Sequence, residues 1–404
     1  MSKKVKLFPN TVAGVIKGLQ LIFFEDVYAD KAVEQIIQEN EKWGKRDRNF
    51  VADSIYTLVR YWRFYWDLFD QEPQDDTKLL YDFFGVFWRF NGNDLPDWNV
   101  FKDAISFDLK SAENGLSREL KIQESYPDWL NDVANEELAD QWPAIAKELN
   151  KPAFVSLRVN KLKSSVYNVE STLKKNNIQV YETEVEHDAI VLESRPNLKG
   201  LQAYKNGLFE IQDLGSQRIG AFTQVKKGNY VIDACSGAGG KALQMASMMN
   251  NIGKIISLDI FPRKLKEQQF RAKRNGVKII KTELVSDDTP SKYQEKADVL
   301  LLDVPCSGTG VIKREPDTKW KLTPEKLDEV IRLQKELLAD YIEMLRPGGK
   351  LIYATCSILK SENENQIEWF LNNHSNFELE AEEKLNPSKF NDGFYMARLI
   401  KKKK

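Results

Sequence analysis

The sequence predicts an α/β protein whose last half is a doubly wound parallel sheet, preceded by an all-helical region and a small α/β linker unit. Three observations predict it. From Gly207 onward, apolar runs of strand length alternate with helical segments, which implies parallel strands joined by right-handed crossovers. From about Val12 to Tyr81, apolar residues recur at three- and four-residue spacing, as in amphipathic helices. Between the two, Pro152-Ala-Phe-Val-Ser-Leu-Arg-Val-Asn160 reads as a strand, followed by a helix from Val169 to Lys175 and short strands at Ile178 to Tyr181 and Ala189 to Leu192. The expected domain boundaries are 1–138, 139–205 and 206–404.

In the helical region, Val12-Ala-Gly-Val-Ile-Lys-Gly-Leu-Gln-Leu-Ile22 and Phe50-Val-Ala-Asp-Ser-Ile-Tyr-Thr-Leu-Val-Arg60 carry the pattern most clearly. Gln71-Glu-Pro-Gln-Asp-Asp-Thr77 and Asn91-Gly-Asn-Asp-Leu-Pro96 are polar breaks between helices. Arg46, Arg48, Arg60 and Arg63 lie on or beside these helices and face either RNA or water. In the last half the expected strands are Asn229 to Cys235, Lys254 to Ile260, Lys281 to Ser286, Ala297 to Val304 and Lys350 to Cys356. Ligands of such sheets bind beyond the carboxyl ends of the strands. Cys235, Cys306 and Cys356 all fall at that edge.

Composition bounds the remaining possibilities. The chain has 404 residues, 42% hydrophobic and 29% charged, an ordinary globular balance. No run approaches the roughly 18 apolar residues of a membrane span. The basic start, Met1-Ser-Lys-Lys-Val-Lys6, is not followed by an apolar core, so a cytoplasmic protein is expected. Three separated cysteines form neither a disulfide framework nor a C-x-x-C unit. With only His187 and His374, both in polar contexts and read as surface residues, a zinc site and a Ser-His-Asp triad lack support. A monomer without metal is expected. Net charge is −1, yet Arg263 to Lys281 holds eight Lys/Arg against Glu267, and the chain ends in Lys401-Lys-Lys-Lys404.

Asp233-Ala-Cys-Ser-Gly-Ala-Gly-Gly-Lys241 joins the first of these strands to a helix, so its backbone amides can meet a ligand at the helix N-terminus. A P-loop fails twice, because Cys235 and Ala242 stand where Gly and Ser/Thr are needed. A dinucleotide fingerprint and an S-adenosylmethionine loop both fit, each with Asp259 to take ribose hydroxyls. The loop by itself does not separate them.

The cysteines bear on that choice. Asp303-Val-Pro-Cys-Ser-Gly turns sharply at its proline and holds a carboxylate and a thiol at the sheet edge. A hydride-transfer enzyme has no use for two thiols there, whereas a cytosine methyltransferase has. Adding a thiolate to carbon 6 turns carbon 5 into a nucleophile toward a methyl sulfonium, and a carboxyl such as Asp303 orients the base. Lys241 and strand-end amides supply an electropositive setting for the thiol.

Together, Asp303-x-Pro-Cys-Ser-Gly, Thr355-Cys356-Ser and Asp233-x-Cys-x-x-x-Gly-Gly-Lys241 resemble the RNA 5-methylcytosine methyltransferase family. Arg158-Val-Asn160, Ile211-Gln-Asp-Leu-Gly-Ser216, Leu345-Arg-Pro-Gly-Gly349 and Asp392-Gly-Phe-Tyr-Met-Ala397 extend the resemblance over roughly the last two-thirds of the chain. It implies a Rossmann-like S-adenosylmethionine-dependent domain, with Cys356 as nucleophile and Cys306 assisting release. Cofactor contacts are implied at Cys235, Ser236, Gly237, Ala238, Gly239, Gly240, Lys241, Asp259, Asp287 and Asp303. DNA cytosine methyltransferases use the Pro-Cys thiol instead and lack a Thr-Cys partner, which argues for RNA. The first region, with Lys42-Trp-Gly-Lys-Arg-Asp-Arg-Asn-Phe50, is similar to the NusB-like helical domain of the small-subunit ribosomal RNA branch (Sun/RsmB type). Ribosomal RNA is therefore the expected partner, with transfer RNA as the alternative. The family loop usually reads Cys-Ala-Ala-Pro-Gly-Gly-Lys-Thr, whereas this chain has Ser236, Gly237, Ala238 and Ala242, and losing the proline predicts a looser loop. A non-catalytic ribosome-assembly protein and a nicotinamide-dependent oxidoreductase remain the competing classes. The first has no need of two thiols, and the second rests on the glycine pattern alone.

Overall fold

Helical periodicity in the first part of the chain becomes five consecutive helices, α1 (Pro9–Phe23), α2 (Ala29–Glu39), α3 (Lys45–Arg60), α4 (Trp62–Phe69) and α5 (Thr77–Phe90). In this computed structural model, residues 6–181 and 188–403 are described. Proline opens α1, where its missing N–H removes nothing from the helix, and the Asp76 side chain caps α5 by accepting from the Leu79 amide. Asp70, in the left-handed region at φ 53°, ends α4 where the polar break was expected. The inward faces are aromatic: Phe23 stacks on Trp62 at 3.6 Å and Trp66 on Phe83 at 4.2 Å.

Residues 1–150 form one compact unit together with residues 312–324, which return to it from far along the chain. Lys319 in that returning segment is fully buried. Its Nζ lies within 3.1 Å of the Arg60, Glu124 and Ser125 carbonyls and of Asn150 Oδ1, and 4.0 Å from the centre of the Tyr126 ring. Asp317 accepts from the Ala29 amide at the start of α2, and Trp320 donates to the Val59 carbonyl. Three of the four arginines expected to face RNA or water are half-buried and bound to carbonyls of their own unit. Arg48 donates to the Trp43 and Glu41 carbonyls, Arg60 to those of Leu149 and Lys313, and Arg63 to that of Tyr126 while pairing with Asp128. Carbonyls left free at helix ends and turns need donors, and these guanidiniums satisfy them. Arg46 is exposed.

The second unit comprises residues 151–311 and 325–404. It begins with a three-stranded antiparallel sheet of β1 (Val155–Val159), β2 (Ala189–Leu192) and β3 (Phe209–Ile211) in the order β2-β1-β3, with the helix Val166–Lys175 packed on it. The strand expected at 178–181 shrinks to a single bridge between Val180 and Leu192, held by backbone bonds from Tyr181 to the Val191 carbonyl and from Glu193 to the Gln179 carbonyl. His187 lies outside the described residues, as do residues 1–5.

A seven-stranded sheet follows: β4 (Tyr230–Asp233), β5 (Lys254–Asp259), β6 (Ile280–Leu284), β7 (Ala297–Asp303), β8 (Leu345–Thr355), β9 (Phe377–Leu385) and β10 (Phe394–Lys401), in the order β6-β5-β4-β7-β8-β10-β9. The first five in that order are parallel, and β10 and β9 add an antiparallel edge. This is the expected Rossmann-like sheet. The near-continuous apolar run of β7 suits a strand buried on both faces. The antiparallel pair was not expected, because charges crowd Phe377-Glu-Leu-Glu-Ala-Glu-Glu-Lys-Leu385 and disguise its alternation. Of the terminal lysines, Lys401 ends β10 and donates to the Leu345 carbonyl. Crossovers from β4 run one way through β5 and β6, and those from β7 run the other way, so a crevice opens where β4 and β7 part. Among the described residues, no helix is long and apolar enough to cross a membrane.

Candidate active site

The crevice is lined first by the glycine loop between β4 and the helix Gly240–Met248. Gly239, at φ 82°, sits just before that helix in a conformation side chains resist, and a Cβ there would meet Gln268 Cγ at 2.3 Å. Gly237, at φ 55°, has open space where a Cβ would project. Four side chains tie the loop where the usual proline is missing. Asp259, at the end of β5, accepts the Gly237 amide at 2.8 Å, and Ser236 Oγ donates to Gln268. Arg271 donates to the Ala238 carbonyl at 2.8 Å, and Arg158 reaches the Gly240 carbonyl at 3.4 Å. Asp259 also accepts the Phe261 amide, so backbone donors already hold both of its oxygens in place.

Beyond the loop, Lys241 Nζ donates to Asp303 Oδ2 at 2.6 Å. Burial alone would lower the Lys241 pKa, but the Asp303 carboxylate outweighs it and raises the value. The lysine is thus an ammonium whose charge is directed first at Asp303, with a weaker interaction with Cys356. Asp233 ends β4 fully buried, with no protein partner for either oxygen, and its pKa is pushed up to about 8 by burial and then by Asp303. Cys235 stands two residues on; burial, and then the Asp303 charge, push its thiol above the usual range and disfavour its thiolate. Asp287 is an exposed carboxylate in the turn after β6.

Neighbouring strands β7 and β8 deliver the other two thiols. Asp303 pairs in register with Ala354, so the chains turn out of the sheet side by side, and Cys306 Sγ lies 3.1 Å from Cys356 Sγ. The Cys356 amide points at Cys306 Sγ at 3.3 Å. The Cys306 pKa is raised well above its ordinary value, first by the hydrogen bond with Cys356 and then by burial, so Cys306 stays a neutral thiol able to donate to its neighbour.

What fixes the two loops is a residue the sequence reading passed over. Glu362 is fully buried. Its Oε1 accepts from the Ser307 amide at 2.8 Å and from Gln334 at 3.0 Å, and its Oε2 accepts from the hydroxyls of Ser307 and Ser357, each at 2.5 Å. One carboxylate therefore grips the residue after each cysteine. A signal existed: Cys306 and Cys356 are both followed by serine. Glu362 itself sits in Lys360-Ser-Glu-Asn-Glu-Asn365, which reads as solvated surface. The arrangement brings Lys241, Asp303, Cys306 and Cys356 together, with Asp233, Asp259 and the glycine loop alongside.

Known proteins share this architecture. Residues 221–402 match the family model described as 16S rRNA methyltransferase RsmB/F, and residues 126–199 match the ferredoxin-like domain of the RsmF/B-like methyltransferases. Ribosomal RNA small subunit methyltransferase B of Escherichia coli O6:K15:H31 (strain 536 / UPEC) is 30% identical over 319 residues, covering 73% of this chain and 74% of that relative. The chain belongs to this methyltransferase family. The probable ribosomal RNA small subunit methyltransferase B of Bacillus subtilis (strain 168) is 29% identical over 300 residues, 73% of this chain and 64% of the relative. Among solved structures, PH0851 aligns with a TM-score of 0.83 at 25% identity over 99% of this chain and all of its own. A methyltransferase homolog from Pyrococcus horikoshii aligns with a TM-score of 0.63 at 27% identity, over 71% of this chain and 100% of that one. S-adenosylmethionine is the family's cofactor. The residues fit it: the space over Gly237, hydroxyl acceptors at Asp259 and a partnerless buried acid at Asp233 suit a ribose-bearing, cationic ligand. Among the described residues, no cluster of three or more His, Cys, Asp or Glu could hold a metal ion.

Proposed function

We propose that this protein methylates carbon 5 of a cytosine in small-subunit ribosomal RNA through a covalent adduct between Cys356 and carbon 6. The observation that carries the reading is the contact of Cys306 with Cys356 at adjacent strand ends, beside the Asp303–Lys241 pair. The RNA class rests on the names of the relatives. Bound S-adenosylmethionine supplies an electrophilic methyl group on a sulfonium. The glycine loop from Cys235 to Lys241, with Asp259, Asp287 and Asp303, would hold it at the β4 and β5 ends.

Asp303, positioned by Lys241, accepts from the exocyclic amino group of a cytosine turned out of its stack and presents carbon 6 to Cys356. Cys356 gives up its thiol proton to solvent, its sulfur forms a bond to carbon 6, and the electron pair of the 5,6 double bond becomes available at carbon 5. After methylation, carbon 5 still carries a proton. Cys306 hands its thiol proton to the departing Cys356 sulfur and takes up the carbon-5 proton. The sulfur–carbon bond breaks, the double bond re-forms, and both thiols are restored. Residues 1–138, with Lys42, Lys45 and Arg46 exposed, are proposed as a NusB-like RNA-binding region, and residues 139–205 as a linker domain.

The test is transfer of labelled methyl from S-adenosylmethionine to deproteinised small-subunit ribosomal RNA, with transfer RNA in parallel. Wild type should label cytosine in the ribosomal RNA, Cys356→Ala should label nothing, and Cys306→Ala should trap protein covalently on RNA. Full activity in Cys356→Ala, or label on another base, overturns the mechanism.

A further inference from the structure

A groove on the second unit lies between β3 and the helix Pro262–Asn275. It has a volume of about 490 Å3, and Lys199, Tyr204, Ile211, Phe270, Arg271 and Arg274 line it with two acids, Glu210 and Glu267. We propose that this groove docks a single-stranded stretch of the substrate RNA, an assignment that rests on the RNA methyltransferase reading and says where on the catalytic unit the strand runs.

Charge comes first. The helix carries six Lys/Arg against Glu267 alone. Glu210 is buried and its charge is met by Arg271 and Arg274, so it does not oppose an anion at the surface. Lys199 and Lys205 on the linker side, and Arg263, Lys266 and Lys273 on the helix, are exposed, and none of the five has an ion-pair partner among the described residues. A row of exposed cations with one exposed acid, Glu267, among them is the electrostatic footprint of a phosphate backbone.

Aromatic surface comes second. Phe270 is 65% exposed on a helix otherwise clothed in charge, at the four- and three-residue spacings that align it with Lys266 and Lys273. Across the groove, the Arg274 guanidinium lies 4.0 Å from the centre of the Tyr204 ring and is pinned there by Glu210. Flat groups held beside exposed cations are how unpaired bases are stacked while their phosphates are neutralised. A groove of this volume is within the range that holds a small ligand, which admits a splayed nucleotide. A protein partner would want a broader apolar face than Ile211 and Phe270 provide.

The experiment compares full-length wild type, Phe270→Ala and the Lys266→Ala/Lys273→Ala double variant by filter binding to deproteinised small-subunit ribosomal RNA and to an unstructured oligoribonucleotide, across a salt series. These side chains are exposed, so folding should survive, and cofactor binding serves as the control. Phe270→Ala should weaken binding to both RNAs about ten-fold. The double variant should flatten the slope of log affinity against log salt by about 1.4, for two lost contacts to single-stranded phosphates. Unchanged affinity and slope in both variants overturn the groove, as does an equal Phe270→Ala loss on a perfect duplex. Absent methyl transfer with the Phe270→Ala loss intact would remove the cytosine reading and keep the groove. Normal transfer with unaltered RNA affinity would do the reverse.

Discussion

Asp233 holds at neutral pH a proton that the unfolded chain releases near the ordinary aspartate value, because burial raises its pKa to about 8. Its contribution therefore turns against folding as pH rises from about 4 toward 8. Asp233→Asn should gain stability over wild type across that range and hold a constant difference above it, read as melting temperature against pH without cofactor. A flat difference throughout would mean the carboxyl is ionised in the native chain. Glu362 makes the opposite case, a buried acid with four donors. Glu362→Ala should cost about 3 kcal/mol in urea unfolding, since it strands buried donors. Loosening both thiol loops should slow methyl transfer by about a hundred-fold. Transfer at the wild-type rate would show that the serine clamp does not position the thiols. The cysteines could be read from the chain because each follows an apolar run. Glu362 could not, because nothing local distinguishes a buried acid in a polar stretch from a solvated one.

Among the elements, the glycine loop separates conformation from occupancy. Gly239→Ala should lower apo stability by about 2 kcal/mol, since both its backbone angle and the Gln268 contact resist a Cβ. Gly237→Ala meets no atom and should cost about 1 kcal/mol, while weakening S-adenosylmethionine further because its methyl enters the open space. Paired thermal shift and cofactor titration distinguish them; equal effects of the two variants on both measurements would refute the division. The parallel strands were legible from β-branched and aliphatic runs punctuated by helices. The β9–β10 edge was not, because its glutamates and lysine obscure a period of two.

At the scale of the whole molecule, the chain passes between the two units three times, after Asn150, Val311 and Pro324. The helical unit is thus incomplete without residues 312–324, which contribute Lys319 and the Trp320 indole. A fragment of residues 1–150 should unfold at lower temperature than the same unit in the full chain and be stabilised by adding a 312–324 peptide, read by circular dichroism. No response to the peptide would show that the segment is dispensable. Lys319→Met should cost the full chain about 3 kcal/mol, because four buried acceptors lose their donor. By itself the sequence determined the alternation of strand and helix, the glycine loop and the placing of cysteines at strand ends, since each is written in a short local pattern. Tertiary structure alone decided that thiols 50 residues apart touch, that Glu362 grips both their loops, and that a segment following one of them completes the helical unit. Those outcomes depend on which distant strands pair and which acids lose their water, and local periodicity carries no record of either.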